Sequence, residues 1–73
     1  MNSYIVFYKK GVPTEEMLRI EKSVQDAGGQ ITSLYKTFGG FAARLRPEHV
    51  NALHNNSAIE IIEHDGEIKL AVQ

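Results

Sequence analysis

Apolar residues along this 73-residue chain follow two spacings, one typical of strands and one typical of helices. Four segments are rich in β-branched and aromatic residues or alternate apolar with polar positions, which predicts strands. Two further segments repeat apolar residues at intervals of three and four, which predicts amphipathic helices. The predicted strands cover 3–8, 30–37, 41–45 and 58–63, and the predicted helices start near Pro13 and Arg46.

The order of these elements is strand, helix, strand, strand, helix, strand. This order is typical of the α+β, ferredoxin-like βαββαβ arrangement, a sandwich in which a four-stranded antiparallel sheet carries both helices on one face. We expect the other face to stay uncovered, because the remaining residues are too few to form another layer. Residues 1–73 are therefore expected to form a single domain, with 66–73 as an extended C-terminal tail.

Alternation within a strand predicts which side chains share a face. In the first strand, Ile5 and Phe7 are expected on one face of the sheet, opposite the neighbours that alternate with them. In the second strand, Ile31, Ser33 and Tyr35 are expected together. The first strand has apolar side chains on both of its faces, so the sheet is predicted to be apolar on its uncovered face as well.

Composition narrows the classes of function. The net charge is −1 with acids and bases mixed, which disfavours nucleic-acid binding. No apolar run approaches the roughly 20 residues of a membrane span, and the first residues lack the pattern of a signal peptide. The absence of cysteine excludes disulfides and fits a reducing compartment. We expect a cytoplasmic protein that binds neither nucleic acid nor membranes.

Residues suited to catalysis or metal binding are sparse. His49 and His54 lie five positions apart on the second predicted helix, whereas a metal pair on a helix is spaced by three or four. These two histidines and His64 are all expected to be solvated. Gly39 and Gly40 lack the lysine and the strand-to-helix setting of a phosphate loop, and predict a tight hairpin turn instead. We expect no enzymatic activity, no metal and no cofactor.

The last residues of the sequence combine acids with an apolar ending. Glu63 and Asp65 alternate, so they point to the same side of an extended chain. Either they are solvated acids at a strand end, or they accept N–H groups from the helix N-termini of a partner. The apolar segment from Leu70 to Gln73 has no following element in the sequence, which makes it a candidate ligand for another protein.

Four blocks of the sequence lie at residues 3–9, 27–31, 35–45 and 59–65. Together they resemble the propeptides of subtilisin-like serine proteases. The blocks occur in register over essentially the whole chain, although no single block is diagnostic. The chain is similar in particular to the stand-alone fungal proteinase B inhibitors and related mushroom inhibitors of subtilisin, which are short, free of cysteine and without a protease domain.

This resemblance implies an inhibitor of subtilisin-like serine proteases that is a monomer when free and forms a one-to-one complex. In that family the uncovered sheet face packs on two protease helices, and the tail enters the active-site cleft like a bound product. Glu63 and Asp65 match the acids that cap those helices, while His64 replaces the middle acid of the usual Glu-Glu-Asp run. The residues that match the occupants of the substrate pockets are Leu70, in the apolar pocket, then Ala71, Val72 and Gln73, the last beside the catalytic serine.

Two alternatives stay open at this point. The chain is an excised protease propeptide that acts as an intramolecular chaperone, or it is a non-inhibitory ferredoxin-like interaction module that binds through loops or by dimerising its open face. An acylphosphatase would share the fold, but its chemistry needs an arginine in the loop after the first strand. That loop reads Lys9-Lys10-Gly11-Val12-Pro13 here, which argues against this enzyme.

Overall fold

The computed structural model describes residues 1–65, which fold into one antiparallel sheet and two helices. The order of strands across the sheet is β2-β3-β1-β4. This is the α+β, ferredoxin-like arrangement that the element order predicts, so the predicted fold is confirmed. The strands are β1 (Asn2–Tyr8), β2 (Gln30–Tyr35), β3 (Gly40–Leu45) and β4 (Ile59–His64), and the helices are α1 (Thr14–Asp26) and α2 (Pro47–His54).

The hydrophobic core lies between the two helices and one face of the sheet. Val6, Phe41 and Leu45 are fully buried there, and they alternate along their strands as the sequence predicts. Neither helix of the described residues has the length and apolar character needed to cross a membrane. The other buried apolar side chains of the core cluster are Tyr8, Ile20, Val24, Ala43, Leu53, Ala58 and Ile59.

Helix α1 ends at a glycine whose backbone conformation is easily adopted only by a residue without a side chain. Gly28 has a φ of +100°, in the left-handed region. Its N–H donates to the carbonyl of Gln25 at 3.0 Å, and the N–H of Gly29 donates to the carbonyl of Val24 at 2.9 Å. This pair of hydrogen bonds closes the helix in a Schellman motif and leaves the carbonyl of Ala27 available to another partner.

His49 provides that partner, and its position corrects the prediction that all three histidines are solvated. The side chain is only 9% exposed. Its Nδ1 accepts the N–H of Arg46 at 3.1 Å, so the proton sits on Nε2, which donates to the carbonyl of Ala27 at 2.9 Å. His49 thus caps the start of α2 and ties it to the end of α1. His54 and His64 are exposed, as predicted.

Replacing this histidine is expected to destabilise the fold much more than replacing its exposed neighbour on the same helix. His49→Ala removes two hydrogen bonds and leaves the N–H of Arg46 and the carbonyl of Ala27 without the imidazole, at a cost of about 2 kcal/mol. His54→Ala should stay within about 0.5 kcal/mol of the parent. Urea denaturation followed by circular dichroism measures both; equal midpoints for the two variants would contradict this role of His49.

Strand β2 departs from the simple alternation predicted from the sequence. Ile31 pairs with Ala43 and Ser33 pairs with Ala42, so one extra residue of β2 is accommodated between them. The bulge reverses the parity of the remaining strand. Ser33 and Tyr35 therefore lie on the face opposite Ile31, and the prediction that all three share a face is wrong.

Two glycines make the tight β2–β3 turn possible, as predicted for Gly39 and Gly40. Gly39 has a φ of +76°, and its carbonyl accepts the N–H of Tyr8 at 3.0 Å. A Cβ added to Gly40 would lie 2.4 Å from the carbonyl oxygen of Val6. The close approach of β1 and β3 therefore requires glycine at position 40, and the turn is held against the end of β1.

Candidate functional site

One face of the sheet carries neither α1 nor α2, and we call it the open face. The strand register identifies its members, because paired residues of antiparallel strands point to the same side. Since Val6 and Tyr8 point into the core, their neighbours along β1 point away from it. The open face comprises Ser3, Ile5 and Phe7 of β1, Ile61 and Glu63 of β4, Ala42 and Arg44 of β3, and Gln30, Ser33 and Tyr35 of β2.

Apolar side chains dominate the middle of this face and the end nearest the β2–β3 turn. Phe7 pairs with Ile61 of β4 and with Gly40 of β3. Ile61 is 47% exposed although it lies in a strand beside other apolar residues. Contiguous exposed apolar surface of this kind is typical of protein-binding sites.

An aromatic cluster extends the apolar area towards the β2–β3 turn. The ring of Phe38, in the turn, stacks on Tyr35 with a centroid separation of 5.1 Å and lies 5.3 Å from the ring of Phe7. Phe38 nevertheless remains 55% exposed. Rings packed together but left open to solvent supply a large, rigid contact area, which is what binding hot spots require.

The sequence gives a weak signal for this cluster. Ile31 and Leu34 are the apolar residues of β2, and they are spaced by three, which fits a strand only if a bulge intervenes. Strict alternation instead places Tyr35 with Ile31, on the wrong face. The bulge brings Tyr35 to the open face, where Phe38 stacks on it.

The acids predicted to bind a partner lie at the other end of the open face. Glu63 pairs with Ile5, so its exposed side chain lies on that face. Asp65 follows the last strand residue, and its N–H donates to the carbonyl of Ser3 at 2.8 Å, which continues the ladder by one step. Asp65 is also exposed and lies opposite Ser3, a member of the open face. The two acids are therefore on one side, as predicted.

These positions give the open face two distinct halves. Along β1, the apolar end at Phe7 and the polar end at Ser3 are four residues apart, or about 13 Å at the usual rise of a strand. Glu63 and Asp65 stand at the polar end, along the β4 edge of the sheet. A partner that fits this face needs apolar surface at one end and hydrogen-bond donors or positive charge at the other.

The remaining predicted site residues, Leu70, Ala71, Val72 and Gln73, lie outside the described residues. The chain reaches them from Asp65, which is fixed to β1 by its backbone hydrogen bond. The tail 66–73 therefore starts at the acidic end of the open face.

A groove between α1 and β2, on the helix side of the sheet, is lined in part by Tyr8. The hydroxyl of Tyr8 lies 2.9 Å from Oε2 of Glu21 and 3.2 Å from the carbonyl of Met17. Burial raises the pKa of the Tyr8 hydroxyl, and its hydrogen bond to Glu21 and the charge of that carboxylate raise it further. The hydroxyl thus stays protonated and acts as a structural donor between β1 and α1.

Metal-binding side chains do not cluster within residues 1–65. No cluster of three His, Asp or Glu side chains there has the geometry to hold a metal ion. His49 uses both ring nitrogens to join the helices, and the hydroxyl of Ser23 donates to the carbonyl of Ile20 at 3.0 Å. The candidate site among the described residues is therefore the open face with its two acids.

Comparison with known proteins assigns neither a family nor a function: no protein-family model matches the chain, and no curated protein matches it either. The features that bear on function are the apolar residues of the open face, the acids at its end and the resemblance of the sequence to subtilisin propeptides.

Proposed function

We propose that the chain inhibits subtilisin-like serine proteases, docking its open face on the protease while its tail occupies the substrate cleft. The observation that carries this proposal is the placement of Glu63 and Asp65 on the face that exposes Ile61 and Phe38. Apolar contact and charged contact can then be made with one partner at the same time. The sequence resemblance to subtilisin propeptides supplies the identity of that partner.

The acids suit the helix N-termini of the partner. The first N–H groups of a helix have no partner within the helix, and its dipole places partial positive charge at the same end. Carboxylates accept such N–H groups in short, charge-assisted hydrogen bonds. Because Glu63 and Asp65 are exposed, they make these bonds without first giving up a partner in the core.

The apolar half of the open face provides area for docking. Phe7, Phe38 and Ile61 offer side chains that are already held by the sheet and by each other. Little side-chain entropy is then lost when they become buried against a partner. The proposed role of this half is to dock on the protease helices beside the points where the acids cap them.

The tail contributes by adding a strand in the cleft. Main-chain hydrogen bonds give affinity that depends little on sequence, and the alternate side chains of Leu70 and Val72 supply specificity. Ordering a free chain costs about 1–2 kcal/mol per residue, so the tail alone should bind weakly. Attachment to a docked domain makes tail binding intramolecular and raises its effective concentration. The inhibitor is accordingly proposed to act as a one-to-one binding protein and not as an enzyme.

Titration calorimetry with two forms of a subtilisin tests whether the open face docks on the protease while the tail occupies the cleft. The enzyme with an open cleft should bind one chain per molecule. The same enzyme with its catalytic serine sulfonylated should still bind through the open face, but more weakly, because the end of the tail is excluded. The absence of binding to the open enzyme at micromolar concentrations would contradict the proposal. Equal affinity for both forms would place the tail outside the cleft.

Removal of both acids is expected to weaken the complex. Glu63→Ala combined with Asp65→Ala should raise the dissociation constant by about 10- to 100-fold, since charge-assisted hydrogen bonds contribute about 1.5–3 kcal/mol each in favourable cases and part of that is offset by desolvation. A control with Glu15→Ala and Glu48→Ala removes the same charge from the helix side. Calorimetry should show parental affinity for the control; parental affinity for both variants would mean that the two acids are merely solvated.

A further inference from the structure

The side chain that separates the two acids makes a contact on the opposite face of the sheet. His64 pairs with Tyr4 across the β1–β4 ladder. Their rings meet edge to face, with centroids 5.1 Å apart and planes inclined by 78°. This geometry is favourable for aromatic pairs. Tyr4 in turn packs against the hydrophobic core, so the contact links the end of β4 to the interior of the domain.

Alternation along the strand connects this contact to the open face. His64 points to the helix side, and its two neighbours point to the open face. A side chain anchored on one face thus fixes the direction of the residues before and after it. Beyond His64, the backbone bond from Asp65 to Ser3 is the last ladder hydrogen bond of the described residues.

We propose that Tyr4 and His64 form a clamp that positions Glu63 and Asp65 for docking. Strand ends open locally at little cost unless they are tied down. Without the clamp, the end of β4 would separate from β1 more often, and the two acids would lose their common orientation. His64 is a positioning residue in this account: it acts through its neighbours and does not touch the partner. The role in docking rests on the proposed inhibition of a protease, but the effect on the strand end does not.

The clamp gives a structural reason for the histidine that lies between the two acids. The residue between them points away from the docking face, so its charge is not needed for contact with the partner. An aromatic ring at that position instead gains a contact with Tyr4 that a carboxylate side chain lacks. His64 therefore links the end of β4 to the core without occupying the open face.

Two measurements on the full chain test the clamp. His64→Ala should speed the hydrogen exchange of the Asp65 amide by about 3- to 10-fold, which corresponds to the loss of one aromatic contact. It should weaken binding to a subtilisin by a similar factor. His64→Phe keeps the ring and should restore both values. His54→Ala, which removes an exposed histidine from α2, should change neither.

The effect of His64→Ala in the parent chain and in a chain without the two acids shows whether His64 positions the acids or contacts the partner directly. In a chain that already carries Glu63→Ala and Asp65→Ala, adding His64→Ala should cause no further loss of affinity, because there are no acids left to position. A further loss of 3-fold or more would show that His64 contacts the partner and would overturn the proposal. Unchanged Asp65 exchange in His64→Ala would also overturn it. If the parent chain fails to bind subtilisin, the proposed function fails, and the exchange data alone decide whether the clamp exists.

Discussion

Deleting Leu70 to Gln73 should weaken inhibition of a subtilisin by about 100-fold or more. Burial of a leucine or valine side chain contributes about 1.5–3 kcal/mol, so Leu70 and Val72 together account for a factor of this size. We assume that the main-chain hydrogen bonds in the cleft roughly offset the entropy of ordering the tail. The inhibition constant of the truncated chain, measured with a peptide substrate, gives the factor directly.

Single substitutions refine the result of the deletion. Leu70→Ser should reproduce much of the loss, whereas Lys69→Ser, one residue outside the segment, should behave like the parent. The deletion leaves in place every core residue described within 1–65, so we expect the truncated chain to keep its melting temperature. Inhibition by the truncated chain that is as tight and as durable as that of the parent would remove the tail from the mechanism, although the open face could still bind.

The second large effect is expected from a charge placed in the apolar half of the open face. Ile61→Lys should weaken the complex by about 30- to 100-fold, because burial of an unpaired ammonium group in an apolar contact is costly. Ile61 is already 47% exposed, so the fold should tolerate a long side chain whose charged end reaches water. Calorimetric titration with a subtilisin measures the loss.

Leu18→Lys is the matched control for this substitution. Leu18 is 59% exposed, but it lies on α1, on the helix side of the sheet. The change adds the same charge and removes a similar apolar surface away from the open face. Equal losses of affinity for the two variants would show that the partner does not distinguish the two sides of the sheet.

The fold could be predicted from the sequence because local patterns agree with each other. Alternation along β3 places Phe41 and Leu45 in the core, and both are fully buried. Gly28 and Gly39 mark the end of α1 and the β2–β3 turn, where positive φ values require them. Each of these signals is local in sequence, so no knowledge of distant contacts is needed.

Two features could not be predicted, since each depends on contacts between distant segments. The role of His49 requires the carbonyl of Ala27, and this partner is brought to it only when the two helices pack side by side. The bulge in β2 follows from its pairing with β3, and it moves Tyr35 to the open face. A histidine on a short helix and an irregular strand both have simpler explanations when the sequence is considered alone.

Some features of the candidate site could likewise be predicted from the sequence, and others could not. The alternation of Glu63 and Asp65 predicts their common side, and the register with β1 places that side on the open face. The contact between Tyr4 and His64 could not be predicted, because it joins strands from opposite ends of the chain. The roles of Leu70 to Gln73 stay predictions that come from the sequence resemblance.

Inhibition of a subtilisin by the full chain tests the proposed function most directly. The enzyme should be titrated with the chain while cleavage of a small peptide substrate is followed. We expect competitive inhibition at submicromolar concentration, with complete loss of activity at one chain per enzyme molecule. Full protease activity in the presence of a several-fold molar excess of intact chain, at micromolar concentration, would contradict it.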